Sequence, residues 1–116
     1  MVSPGVYVPR RGDLVWIDFD PQAGHEQAGR RPALVLSPAA YNRQMRLGLF
    51  CPITRQRKGY GWEVPITGAD RVEGVVLADQ IRNLDWQSRS VAFIERAPGE
   101  VVDEVLERVW TLLDYS

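Results

Sequence analysis

The sequence predicts a small, strongly bent antiparallel sheet or barrel with one helix closing its C-terminal end. Three observations carry that prediction. Short runs of β-forming residues, separated by Pro, Gly and Asp turn signals, recur from Asp13 to Ile94. The apolar spacing changes to a helical period only after Pro98. The 116 residues, 45% of them hydrophobic, suffice for one core and leave little for a second, so 1–116 is expected to be one domain.

The elements follow in order. Asp13 to Asp20 reads as a strand, because Leu14, Val15, Trp16, Ile17 and Phe19 are β-formers, and Asp20-Pro21 ends it. Pro21 to Arg30 contains Gly24 and Gly29 and has no period, which predicts an exposed loop. Arg31 to Ser37 forms a second strand. Ser37 and Pro38 then fit a helix N-cap and its first residue, opening one or two turns through Tyr41 and Gln44. Leu47 to Thr54, Trp62 to Ile66 and Gly74 to Gln80 read as three further strands, and Val91 to Ile94 as a sixth. Beyond Pro98, residues Val101, Val102, Val105, Leu106, Val109, Trp110, Leu112 and Leu113 fall on one helical face, with acidic residues in the first turns where they suit the helix dipole. Trp16 and Trp110 are expected in the core, as is the lone Cys51.

Composition removes several function classes. No apolar run approaches the roughly 18 residues of a membrane span, and the N-terminus lacks a secretory pattern, so a soluble cytoplasmic protein is expected. A glycine loop followed by Lys-Ser/Thr, a His or Cys cluster for zinc, and a Gly-x-Ser-x-Gly elbow are all missing, and no cofactor or metal is expected. The single histidine, His25, rules out an acid-base histidine pair within one chain and reads as a solvated loop residue. The net charge of −1 argues against a generic nucleic-acid binder. Its distribution is uneven, however. Gln27 to Trp62 holds no Asp or Glu but carries Arg30, Arg31, Arg43, Arg46, Arg55, Arg57 and Lys58, while the chain from Glu100 onward is acidic. A one-sided basic field favours a polyanionic ligand.

Several motifs then fall together. Arg11-Gly12-Asp13-Leu14-Val15-Trp16, Asp18-Phe19-Asp20-Pro21 and Glu26-Gln27-Ala28-Gly29-Arg30-Arg31-Pro32 are followed by Leu34-Val35-Leu36-Ser37-Pro38, Cys51-Pro52-Ile53-Thr54, Lys58-Gly59-Tyr60 and Leu77-Ala78-Asp79-Gln80. In order and spacing over residues 10 to 85 this resembles the MazF/PemK toxin family, the Glu-Gln-x-Gly-x-Arg-Pro element being the specific one. The C-terminal third matches in character only, as an amphipathic helix.

That resemblance implies an SH3-like barrel of roughly five to seven short antiparallel strands with the C-terminal helix, in a homodimer. It implies a toxin endoribonuclease that cuts single-stranded RNA without a metal, by attack of the ribose 2'-hydroxyl on the neighbouring phosphate, leaving a 2',3'-cyclic phosphate and a 5'-hydroxyl. Arg31 and Thr54 match the family's catalytic pair. A transition state that gathers charge on phosphoryl oxygens needs fixed cationic and hydrogen-bonding groups, and a guanidinium fork meets two oxygens at once. Pro32 biases Arg31 towards an extended backbone. Glu26 would accept a proton or orient Arg31. Arg30, Arg55, Arg57 and Lys58 would attract phosphates, Gln27 belongs to the RNA-binding loop, Phe19 would either stack on a base or lie in the core, and Gln80 would read a base edge. A cognate acidic antitoxin of the MazE type is the implied protein partner. Two readings from other classes stay open: a CcdB-like toxin that binds gyrase and catalyses nothing, and a silent RNA-binding module.

Overall fold

The computed structural model describes residues 5–20 and 27–115. Among them, seven strands and two helices follow in the order β1 (Asp13–Asp18), β2 (Arg30–Val35), α1 (Ala39–Met45), β3 (Gly48–Thr54), β4 (Glu63–Pro65), β5 (Val75–Leu77), β6 (Arg82–Leu84), β7 (Ala92–Arg96) and α2 (Gly99–Leu113). A single 3-10 turn, Ala78–Gln80, joins β5 to β6. All pairings are antiparallel, in the order β4-β5-β3-β2-β1-β7 with β6 also on β3.

The long apolar runs of β1, β2 and β3 have a simple cause: both faces of the sheet are buried there. On one face Leu14, Leu34, Cys51, Ile53 and Val76 pack under Val101, Val102 and Val105 of α2. On the other, Val15, Ile17, Phe19, Ala33, Val35 and Phe50 surround Trp86. The sheet bends at β3, whose outer edge is shared. Its first half pairs with β6 (Phe50 opposite Arg82) and its end with β5 (Thr54 opposite Val75), and the 3-10 turn carries the chain from one to the other. The strand expected over Gly74 to Gln80 therefore stops at Leu77, and β6, too short and too polar to show a period, was not expected.

Two local expectations are corrected. Ser37 does not cap α1; Pro38 holds the N-cap position without a side-chain bond. Ser37 Oγ instead donates to Asn42 Oδ1 (2.5 Å) and accepts the Leu49 N–H (2.8 Å), tying helix to strand. The helix pattern of α2 also outruns the sheet it covers. Its first turns are buried, but Trp110 is 72% exposed and Leu113 lies open. Among the described residues, no helix is long and apolar enough to cross a membrane.

Candidate active site

A cleft of about 330 Å³ opens where β1, β2, β3 and β7 meet the turn before β5, and it contains both Arg31 and Thr54. Trp16, Pro32, Ile53, Val72 and Ile94 supply its apolar wall, and Arg55, Arg71 and Glu73 its polar rim.

Arg31 enters from β2, where it sits opposite Ile17. Its Nε donates to the Ala28 carbonyl (3.0 Å) and its Nη1 to the Ile53 carbonyl (3.3 Å). Those two bonds fix the guanidinium plane and leave three of its five N–H groups for a ligand. No ion pair holds Arg31 among the described residues. Burial lowers its pKa from the ordinary arginine value, which means that its charge is partly stripped of water while remaining positive at neutral pH. A partly desolvated, tethered cation is a strong attractor for a phosphate.

Thr54 ends β3, half-buried, and the join to β5 holds it there. Gly74 makes that join possible: at φ +120°, a Cβ on it would lie 2.3 Å from the Thr54 carbonyl oxygen. The Thr54 hydroxyl accepts the Gln56 N–H (3.1 Å), so its own proton remains to be donated. The far rim of the cleft is fixed by Glu95, whose carboxylate accepts the N–H groups of Asp70, Arg71 and Val72 (3.1, 2.8 and 2.8 Å). Burial alone would raise the Glu95 pKa, but these donors, aided by the Arg71 charge, outweigh it and the net shift is downward.

A smaller hollow of about 40 Å³ lies on the other side of Thr54, lined by Gln27, Gln56, Lys58, Tyr60, Glu63, Leu77 and Gln80. Gln80 Oε1 accepts the Gln27 N–H (2.9 Å), joining two of the expected RNA-binding residues. Tyr60 donates towards Asp79 (3.4 Å), and burial followed by the Asp79 and Glu63 charges raises its pKa, which keeps the phenol protonated. Thr54 thus belongs to both hollows, and a strand of ligand crossing it would meet Arg31 on one side and amide groups on the other.

The remaining expected residues are dispersed. Arg57 lies in the exposed 55–59 loop beside Gly59 and Tyr60. Arg30 points elsewhere, its Nη1 on the Ser90 carbonyl (2.7 Å). Phe19 is 0% exposed, with the Arg82 guanidinium 5.9 Å from its ring, so it is core and cannot stack on a base. Glu26 and His25 lie outside the described residues. The acid-free stretch is not acid-free in space, because Glu63 accepts the Lys58 and Gly59 N–H groups and Glu73 approaches Arg55 (3.9 Å). Cys51 is buried, and burial, then the Asp79 charge, pushes its thiol pKa up and keeps it inert. Among the described residues, no group of three His, Cys, Asp or Glu side chains could hold a metal ion.

The chief correction is Trp16. Expected in the core, it is 41% exposed and stands in the cleft wall beside Arg31. Arg71 was also not foreseen, since its turn carries no motif and faces the cleft only through the fold.

Comparison with known proteins agrees with this architecture. Residues 10–113 match the family described as PemK-like, MazF-like toxin of type II toxin-antitoxin system. The endoribonuclease toxin MazF of Escherichia coli K12 is 47% identical over 103 residues, covering 89% of this chain and 88% of its own. The crystal structure of MazF from Deinococcus radiodurans superposes with a TM-score of 0.90 at 53% identity, over 94% of this chain and 99% of that one. A MazE-MazF complex from the same organism gives a TM-score of 0.83 at 47% identity, covering 96% and 100%. With a matched sheet, a matched closing helix and a family match spanning nearly its whole length, this chain belongs to the PemK-like, MazF-like toxin family of type II toxin-antitoxin systems.

Proposed function

We propose that this endoribonuclease toxin cuts single-stranded RNA in the Arg31/Thr54 cleft, by attack of a ribose 2'-hydroxyl on the adjacent phosphorus. The observation that carries the reading is a guanidinium tethered by two backbone carbonyls, with no ion pair among the described residues, and a hydroxyl with a donatable proton, both lining one cavity. In the reaction the 2'-oxygen forms a bond to phosphorus, and its proton passes to a base. The bond to the 5'-oxygen breaks and that oxygen takes up a proton, giving a 2',3'-cyclic phosphate and a 5'-hydroxyl. Arg31 and Thr54 supply what the transition state needs most, positive charge and a hydrogen bond for the nonbridging oxygens in a partly dry site. No protein nucleophile takes part.

Glu26 is assigned either as the acceptor of the 2'-proton or as the group that orients Arg31. Glu26→Gln separates these roles: loss of a general base costs about a hundredfold in rate, whereas an orienting carboxylate is largely replaced by the amide. Lys58, Arg57, Arg55, Gln27 and Gln80 bind the strand on either side of Thr54, with Gln80 and its neighbours reading base edges. Arg30 acts only through long-range attraction.

The toxin works in the cytoplasm as a homodimer, restrained by an acidic antitoxin of the MazE type. The exposed Tyr41 and Leu49, which line an apolar groove of about 320 Å³ with Leu106 and Val109 of α2, are the surface a second copy would cover. A cognate antitoxin with an acidic, partly disordered tail would lie across the basic cleft and displace RNA.

Purified protein incubated with a long RNA in EDTA tests the activity. Cleavage is expected; binding without cleavage would leave only a silent module, and neither binding nor cleavage would leave the gyrase-binding reading.

A further inference from the structure

The wall of the cleft contains a group that the chemistry above does not use. Trp16 and Leu14 lie on the same face of β1, two residues apart. Leu14 is fully buried, yet Trp16 is not, because Trp16 lies beyond the part of the sheet that α2 covers. Its cross-strand neighbours are Pro32 on β2 and Ala92 on β7, both too short to cover an indole. The ring therefore presents open aromatic surface to the cavity that holds Arg31, Thr54 and Arg71. Covering this much tryptophan surface with a ligand would be favourable, because it removes apolar area from water.

An exposed aromatic plane among arginines is the combination that single-stranded nucleic acid uses: bases stack while cations hold the intervening phosphates. We propose that Trp16 is a stacking platform for the nucleobase next to the scissile phosphate, with Arg71 across the cleft holding the phosphate that follows. This rests on the reading of the cleft as an RNA site and extends it to a residue that positions the substrate. It also supplies the aromatic contact that the buried Phe19 cannot make. Because every base has a π-face, Trp16 sets the position and affinity of the strand, while the amides beyond Thr54 are left to discriminate among bases.

The test uses the full chain with Trp16→Phe and Trp16→Ala, a long RNA, and a fluorescein-labelled 2'-O-methyl oligonucleotide of mixed sequence that cannot be cut. Trp16→Ala should bind the oligonucleotide about tenfold or more weakly, with KM raised more than kcat is lowered, and Trp16→Phe should recover most of the loss. Unlabelled oligonucleotide should quench the parent's tryptophan fluorescence, and that quench should vanish in Trp16→Phe although it still binds. Circular dichroism checks that both variants are folded, and should Trp16→Ala fail that check, the quench comparison with Trp16→Phe decides alone. Parental quench persisting in Trp16→Phe, or a folded Trp16→Ala protein with unchanged affinity and KM, would overturn the proposal. So would a variant that handles RNA normally but loses an acidic antitoxin peptide, because the platform would then serve a protein. Cleavage by the parent tests the nuclease reading separately, since the quench requires binding only.

Discussion

Arg31 is useful because two backbone carbonyls fix its guanidinium while no ion pair among the described residues spends its charge. Arg31→Ala should therefore keep the fold and lower kcat/KM by about a hundredfold or more, measured on a long RNA. Thr54→Ala should lose activity as well, and Thr54→Ser should retain part of it because the hydroxyl survives. A different residue governs stability. Asn42 is fully buried, donates to the carbonyls of Pro9 (2.8 Å) and Ser37 (3.1 Å), and its own carbonyl accepts the Trp86 indole N–H (3.1 Å). Asn42→Ala strands the two carbonyls and the Ser37 hydroxyl, and a denaturant titration should show a loss of roughly 2 kcal/mol or more with cleavage kept under folding conditions. At this scale a motif marks Arg31 and Thr54 in the sequence, and the fold brings both to one cleft. Sequence reasoning failed for Trp16 and left Phe19 open, because the two look alike as aromatic strand residues and only their cross-strand and covering neighbours decide which is core.

The strands and turns around the cleft place its residues by close backbone contact, which is why a glycine matters there. Gly74→Ala would drive a Cβ into the Thr54 carbonyl at a φ that alanine disfavours. It should cost more than about 1 kcal/mol and lower kcat by displacing Thr54, seen as a reduced Tm together with slower cleavage. The 70–72 turn is instead held by the Glu95 carboxylate, whose folded pKa is depressed. Its contribution is complete above the pKa of an unfolded glutamate and is lost as pH falls through the lower folded value. Glu95→Gln should flatten the acid limb of a stability-against-pH curve while leaving the plateau above neutral pH only modestly lowered. Most elements were legible, since long apolar runs and the period change at Pro98 signal strands and a helix. The 3-10 turn and β6 were not, because Ala78–Gln80 and the largely polar Arg82–Leu84 follow the bend of β3 and lack the apolar run that marks β5.

Across the whole molecule, charge is balanced but unevenly placed, with Arg31, Arg55 and Arg71 around one cleft and acidic residues along α2. The acid-free stretch pointed to the right ligand class, yet it overstated the field, because Glu63 and Glu73 return to it from other elements. With about three cations engaged, log Kd for single-stranded RNA should vary with log salt at a slope near 2, from about 0.7 per phosphate contact. Neutralising Arg55, Arg57 and Lys58 together should weaken both RNA and antitoxin binding, which a competition titration reads directly. The proposed dimer surface at Tyr41 and Leu49 predicts that Leu49→Glu lowers the light-scattering mass of the protein from that of a dimer towards that of a monomer. The central claim, that Arg31 and Thr54 support attack by the substrate's own 2'-hydroxyl, is tested most directly by the ends of the cut RNA. Cleavage in EDTA should yield 2',3'-cyclic phosphate and 5'-hydroxyl termini, and an oligonucleotide with a single 2'-deoxy sugar at the mapped cut site should stay intact. Cleavage of that deoxy substrate, or 5'-phosphate termini on the products, would contradict it.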